Sequence, residues 1–183
     1  MTQPAGHEGP LAEFAALRQE MDMKIQNQYQ LLTLQLTLTG AIFSFAISRA
    51  GLAGLLLIVP VSTYLLCGRW ASQHHGIHRI GTYIQQELSQ RVPGGLGWEA
   101  WTRDNPRKGR LLGMTVPMFL TFPGAALLSL AWSFGYIFLG QQGAAARTGL
   151  VLIWVLGLLA AALSAALVLE VAGRPAGGRP LAG

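Results

Sequence analysis

Charge is what this chain lacks most. Lys, Arg, Asp and Glu make up 11% of its 183 residues, where soluble domains run about 25%. Only 8 residues are acidic, which leaves a formal net charge of +5. A membrane enzyme needs ionisable groups that converge within or beside the bilayer. Here Glu99, Asp104 and Glu170 are the carboxylates nearest the apolar runs, and each has an anchoring role open to it. No hydrolase elbow, phosphate loop or zinc-protease motif is present. The chain is therefore read as a non-enzyme without a cofactor. Ion-coupled transport is disfavoured too, because no charge lies near the middle of an apolar run. The single cysteine, Cys67, sits in an apolar run, so an intramolecular disulfide is excluded. No cleaved signal peptide is expected either: residues 1–10 are polar and rich in Gly and Pro, and are expected to be disordered. The basic residues are dispersed, with no folded polar domain to present them, which argues against direct nucleic-acid binding.

What the chain has instead is hydrophobicity, 51% of its residues, gathered into long runs. The first, Gln26 to Ser48, has no charged residue and exceeds the ~20 residues needed to cross a bilayer. It is oddly polar for that role. Wound at 100° per residue, Gln26, Gln30, Thr33, Thr37, Gly40, Ser44 and Ser48 form one narrow stripe. A second polar face, Gln28, Gln35 and Thr39, lies roughly opposite. A helix turned wholly to lipid needs neither face, so this run is expected to be surrounded by protein. It is also taken as the element around which the rest is arranged.

Ahead of it, Leu11, Phe14, Leu17, Met21 and Ile25 make an amphipathic stripe, with no helix breaker before Ser48. One long helix is expected, cytosolic at first and then membrane-crossing. Its first part reads either as a surface-lying helix or, as favoured here, as a stem that assembles subunits. A second crossing runs from about Leu52 to Gly68, with Pro60 expected to kink it and Ser62, Thr63 and Tyr64 placed to satisfy the freed carbonyls. Residues 69–110 read as a cytosolic or interfacial helix followed by a basic linker. In that linker Trp98, Trp101, Arg103, Arg107, Lys108 and Arg110 are candidate lipid-headgroup residues. A second hairpin occupies residues 111–172. Its first helix is irregular up to Pro123, and its last carries a small-residue seam of Gly157, Ala161, Ser164 or Ala165, and Val168. Glu170 is expected to pair with Arg174 at the interface, before a disordered tail at 173–183. The expected fold is thus all-α, an integral membrane protein with four transmembrane helices. Lys and Arg fall almost wholly on one side; only Arg49 and Arg147 fall on the other. Both termini should then be cytoplasmic, facing anionic lipid of a bacterial inner membrane.

The histidines are the remaining chemical candidates. His74 and His78 stand four apart, a spacing that can hold a metal. No cysteine or carboxylate joins them locally, so headgroup-facing or surface histidines are the default and no metal is expected. A pH-sensing role is the other alternative.

The layout of a cytosolic helix, two close spans with a tight turn at Ser48 to Gly51, and a second cytosolic helix from Trp70 to Arg91 resembles the SLATT-type membrane modules of bacterial conflict systems. The stretch LRQEMDMKIQNQYQLLTLQLTLTG carries most of that likeness, over about the first half of the chain. The segment RWASQHHGIHRIGTYIQQEL with the later GLGWEAW is similar to bacterial four-span proteins. The resemblance implies a pore-forming or membrane-disrupting effector of a defence system, controlled by a cytosolic partner or ligand. It assigns no site residue. From the residues themselves, Gln26, Gln30, Thr33, Thr37, Gly40 and Ser44 are the candidates for a pore lining or an oligomer interface. The alternative is a non-catalytic membrane scaffold that recruits a soluble partner.

Overall fold

A computed structural model describes residues 8–92, 96–97, 113, 115–140 and 143–173. Every regular element among them is helical. Four helices are long and apolar enough to cross a membrane: α1 (Glu8–Ser48), α2 (Gly51–Arg91), α3 (Val116–Phe138) and α4 (Ala144–Gly173). The headgroup candidates Trp98, Trp101, Arg103, Arg107, Lys108 and Arg110 lie outside the described residues, as do Arg174, most of the basic linker and the tail.

α1 is unbroken through 41 residues: it begins at Glu8, inside the stretch expected to be disordered, takes Pro10 in its first turn, and carries Gly40 without a break. The chain then reverses within a few residues, where the Leu52 amide donates to the Arg49 carbonyl at 2.9 Å. α2 opens as a 3-10 helix over Ala50–Leu57 and becomes α-helical at Ile58–Tyr83. That change of winding absorbs Pro60, which lacks an amide to bond one α-turn back. Ser62 Oγ donates to the Val59 carbonyl at 3.0 Å; the carbonyl that Pro60 frees is that of Leu56, four residues back, so this bond is not the repair expected of Ser62. Thr63 has a different task, described below.

No break occurs at Gly68, where the second run was expected to end. α2 continues through a π-helical turn at Ile84–Leu88 to Arg91. Consequently the polar halves of α1 and α2 form an antiparallel two-helix stem. Phe14, Leu17, Met21 and Ile25 are half-buried in α1, and Ile84 and Leu88 are fully buried in α2. The stem's partner is thus the chain's own second helix. Tyr83 Oη donates to Glu13 Oε1 at 2.6 Å across it. Arg18 stacks on Phe14, with its guanidinium carbon 5.1 Å from the ring centroid.

The expected centre of the fold is corrected. α2, not α1, is the hub: it packs against α1, α3 and α4. In its apolar stretch 39% of residues are buried, against 11% in that of α1. One α2 face and the α4 seam meet closely. Gly157, Ala161, Ser164 and Val168 are all buried, so Ser164 rather than Ala165 completes the seam. A β-carbon on Gly157 would lie 2.9 Å from Leu130 Cδ2 and 3.3 Å from Pro60 Cγ. Glycine therefore sets how closely α4 approaches α2 and α3. Two apolar clusters fill the interior: Cys67, Trp70, Ala71, Phe122, Val168 and Val171 at one level, and Leu57, Ala126, Leu130, Ile137 and Ala161 at the other. In α3 a π-helical turn at Leu120–Gly124 accommodates Pro123 before a regular helix at Ala125–Phe138, close to the irregular start expected.

Candidate functional site

α1 carries the polar residues singled out from the sequence, and the fold sends them in opposite directions. Leu31, Leu32 and Leu38, with Gln28, Gln35 and Thr39, turn toward the other helices and are half or fully buried. Gln26, Gln30, Thr33, Thr37, Gly40, Ser44 and Ser48 are all exposed on the outside of the protomer. At 100° per residue, the centre of this seam lies about half a turn from the buried face. Thus α1 is covered by its own chain on one side only, and the expectation that it is surrounded by protein does not hold within a single protomer.

The exposed seam has apolar flanks. Leu34 and Phe45 border one edge, 53% and 62% accessible; Tyr29, Leu36 and Ile47 border the other, at 67%, 62% and 63%. Two hydroxyls at the seam bond back to their own helix: Thr33 Oγ1 to the Tyr29 carbonyl at 3.0 Å, and Ser48 Oγ to the Ser44 carbonyl at 2.7 Å. Nothing lies within 4 Å of where a Gly40 β-carbon would project. Within the protomer, therefore, no contact requires glycine there. Glycine in a helix interior costs about 0.8–1.0 kcal/mol relative to alanine.

The inward face, legible in the sequence as a second polar face, closes into a node whose partner on α2, Thr63, sequence reading assigns to the carbonyls near Pro60. Gln35 and Thr63 are completely buried. Gln35 Nε2 donates to Thr63 Oγ1 at 2.8 Å and to Thr39 Oγ1 at 3.0 Å. Its carbonyl oxygen, Oε1, is buried with no partner. Other buried hydroxyls behave differently: Ser129, Ser133 and Ser164 all bond to carbonyls of their own helix, at 2.8, 3.1 and 2.9 Å. The Gln35–Thr63 bond is instead a side-chain tie between α1 and the hub. A lone amide among leucines, one helical turn before Thr39, is the signal that could have found it. Gln28 adds a weaker cross-helix contact, Nε2 to the Trp70 carbonyl at 3.4 Å.

His74 and His78 are engaged elsewhere. His74 stacks on Trp70 with ring centroids 5.6 Å apart. His78 Nδ1 lies 3.3 Å from Thr82 Oγ1, which donates to the His78 carbonyl at 3.0 Å. Among the described residues no three His, Cys, Asp or Glu side chains come together as a metal-binding group. No protein family, curated protein or solved structure matches the chain.

Proposed function

We propose that this chain is a multi-pass protein of the bacterial inner membrane, with both termini cytoplasmic, that self-associates into a pore. Several copies of α1 turn their seams toward a shared axis. The observation that supports this is the outward placement of an amide and hydroxyl stripe on the least covered of four membrane-length helices. An amide moved into hydrocarbon without a hydrogen-bond partner costs several kcal/mol, and Gln26 and Gln30 would meet that cost if lipid covered them. Water or a neighbouring copy removes it. The apolar flanks supply contact between copies, and Gly40 permits close backbone approach there. A single protomer has a filled interior, so conduction falls to the assembly. The lining has no ring of charge and should discriminate weakly between ions of either sign. The stem, where the polar half of α1 packs on that of α2, is where a cytosolic partner or ligand would act to open or restrain it.

A passive scaffold is the second reading. Thr33 and Ser48 favour it, because their hydroxyls are already satisfied locally and can rest against a neighbour without lining water. Full-length protein in liposomes decides between them. The pore reading expects release of an entrapped dye, slowed by Thr37→Trp and altered by Thr37→Leu, with helix content unchanged. Vesicles that stay sealed, or release that ignores both substitutions, would leave the scaffold.

A further inference from the structure

Beside Lys24, two open grooves lie where α1 packs on α2, the second bordered also by Leu167 of α4. Lys24 lies across Gly76; a β-carbon there would sit 3.1 Å from Lys24 Cε and Nζ. The bare glycine backbone is what lets the lysine cross. The first groove, of about 410 Å³, is lined in part by Glu20, whose Oε1 is 3.3 Å from Lys24 Nζ. The other, of about 440 Å³, has Lys24, Arg79, Ser72 and His75 on its polar side and no carboxylate. Gly68, Ala71 and Leu167 form its apolar side. Glu170, one turn beyond Leu167, does not line it. His75 also lines it; its Nε2 is closed off from solvent and has no hydrogen-bond partner among the described residues.

We propose that this second groove binds a phosphate group. Two cations, a hydroxyl and an imidazole line a space whose own lining holds no acid; Lys24 also pairs with Glu20, which lines the first groove, a contact the anion would share or displace. That combination suits a multidentate oxyanion. The apolar side continues directly from the polar one, so the same groove can take the phosphate of a lipid headgroup with its glycerol and chain against Leu167. A soluble phosphate would use the polar side alone. The anion would bridge Lys24 of α1 and Arg79 of α2, joining the two stem helices at their base. Only the lipid source rests on the membrane reading of the previous section; the anion site itself does not.

The test uses full-length protein in neutral detergent micelles, so that bilayer insertion is not at issue. The thermal unfolding midpoint is followed against added phosphatidylglycerol, with phosphatidylcholine as its control. It is also followed against inorganic phosphate, with chloride at equal ionic strength. A saturable rise is expected with at least one of the two phosphate probes. Arg79→Gln and Lys24→Gln should each weaken apparent affinity roughly tenfold, the loss of one charge-assisted contact. Arg147→Gln, at the far end of α4, should change nothing. Arg79 is exposed, so its replacement does not threaten folding. Saturation by the lipid alone assigns a headgroup, by inorganic phosphate alone a soluble ligand, and by both a site for either. No saturation with either probe, or undiminished affinity in both variants, overturns the proposal. Failure of the protein to float with liposomes would count against the membrane reading and leave the micelle result standing.

Discussion

The buried amide of Gln35 makes a prediction whose sign runs against intuition. Its two N–H groups are used, one on Thr63 at 2.8 Å and one on Thr39 at 3.0 Å, while Oε1 has no partner. Thr63→Val keeps the shape and removes one acceptor. Hydrogen bonds between helices in a bilayer average about 0.6 kcal/mol and reach about 1.7, and a newly orphaned buried donor costs about 1–3 kcal/mol. A loss of about 1–2 kcal/mol is expected. Gln35→Leu forfeits both bonds, yet it also deletes an oxygen that already lacks a partner. The hydroxyls of Thr39 and Thr63 can then turn to carbonyls of their own helices, as Ser62, Ser129 and Ser164 already do. Gln35→Leu should therefore fall within about 1 kcal/mol of the parent, or be more stable. The double variant should match Gln35→Leu alone, giving a coupling energy of about −1 to −2 kcal/mol. The measurement is reversible unfolding by sodium dodecyl sulfate in mixed micelles, followed by circular dichroism. A loss above about 3 kcal/mol for Gln35→Leu would refute the reasoning. It would mean that Oε1 holds a partner such as a water or an ion, and that the node is a functional polar site rather than a tolerated defect.

Gly157→Val should cost about 1–3 kcal/mol in the same assay, because overpacking meets Pro60, which cannot turn aside. Gly40→Ala, with open space around it, should cost nothing to a single protomer. In the stem, the Tyr83 phenol is held above its ordinary value of 10.0, first by donating to Glu13, then by burial and by the Glu13 charge. A raised value favours the protonated form in the folded state. The contribution of this bond is thus fully present below the unfolded phenol's pKa and fades as pH rises through the folded one. Phenolate absorbance titrated in parent minus Tyr83→Phe should place this tyrosine above its usual range, and Glu13→Ala should return it. A Tyr83 that titrates in its ordinary range with Glu13 intact would remove this contact from the account.

How much could be read in advance differs by element. The continuity of α1 from Leu11 to Ser48 and the irregular start of α3 were legible, since local backbone chemistry decides them. The seam on α4 was legible because small residues every third or fourth position leave one helix face bare, whatever its neighbour. The unbroken run of α2 past Gly68 and Gly81, on to its π turn at Ile84–Leu88, was not legible. Two glycines lower helical propensity locally, while the stem contacts that outweigh them come from residues more than fifty positions earlier, such as Glu13 against Tyr83.

Composition and periodicity alone determine that this chain is helical, that four of its runs can cross a bilayer, and that its first run bears two polar faces. Those properties are local, set by side-chain character and the 100° step between residues. Which of the two faces is buried was decided only by packing. Thr63, on a different helix, captures Gln35, while Thr37 is exposed among the described residues. A periodicity gives the angle of a residue around its own axis, but not what stands on that side.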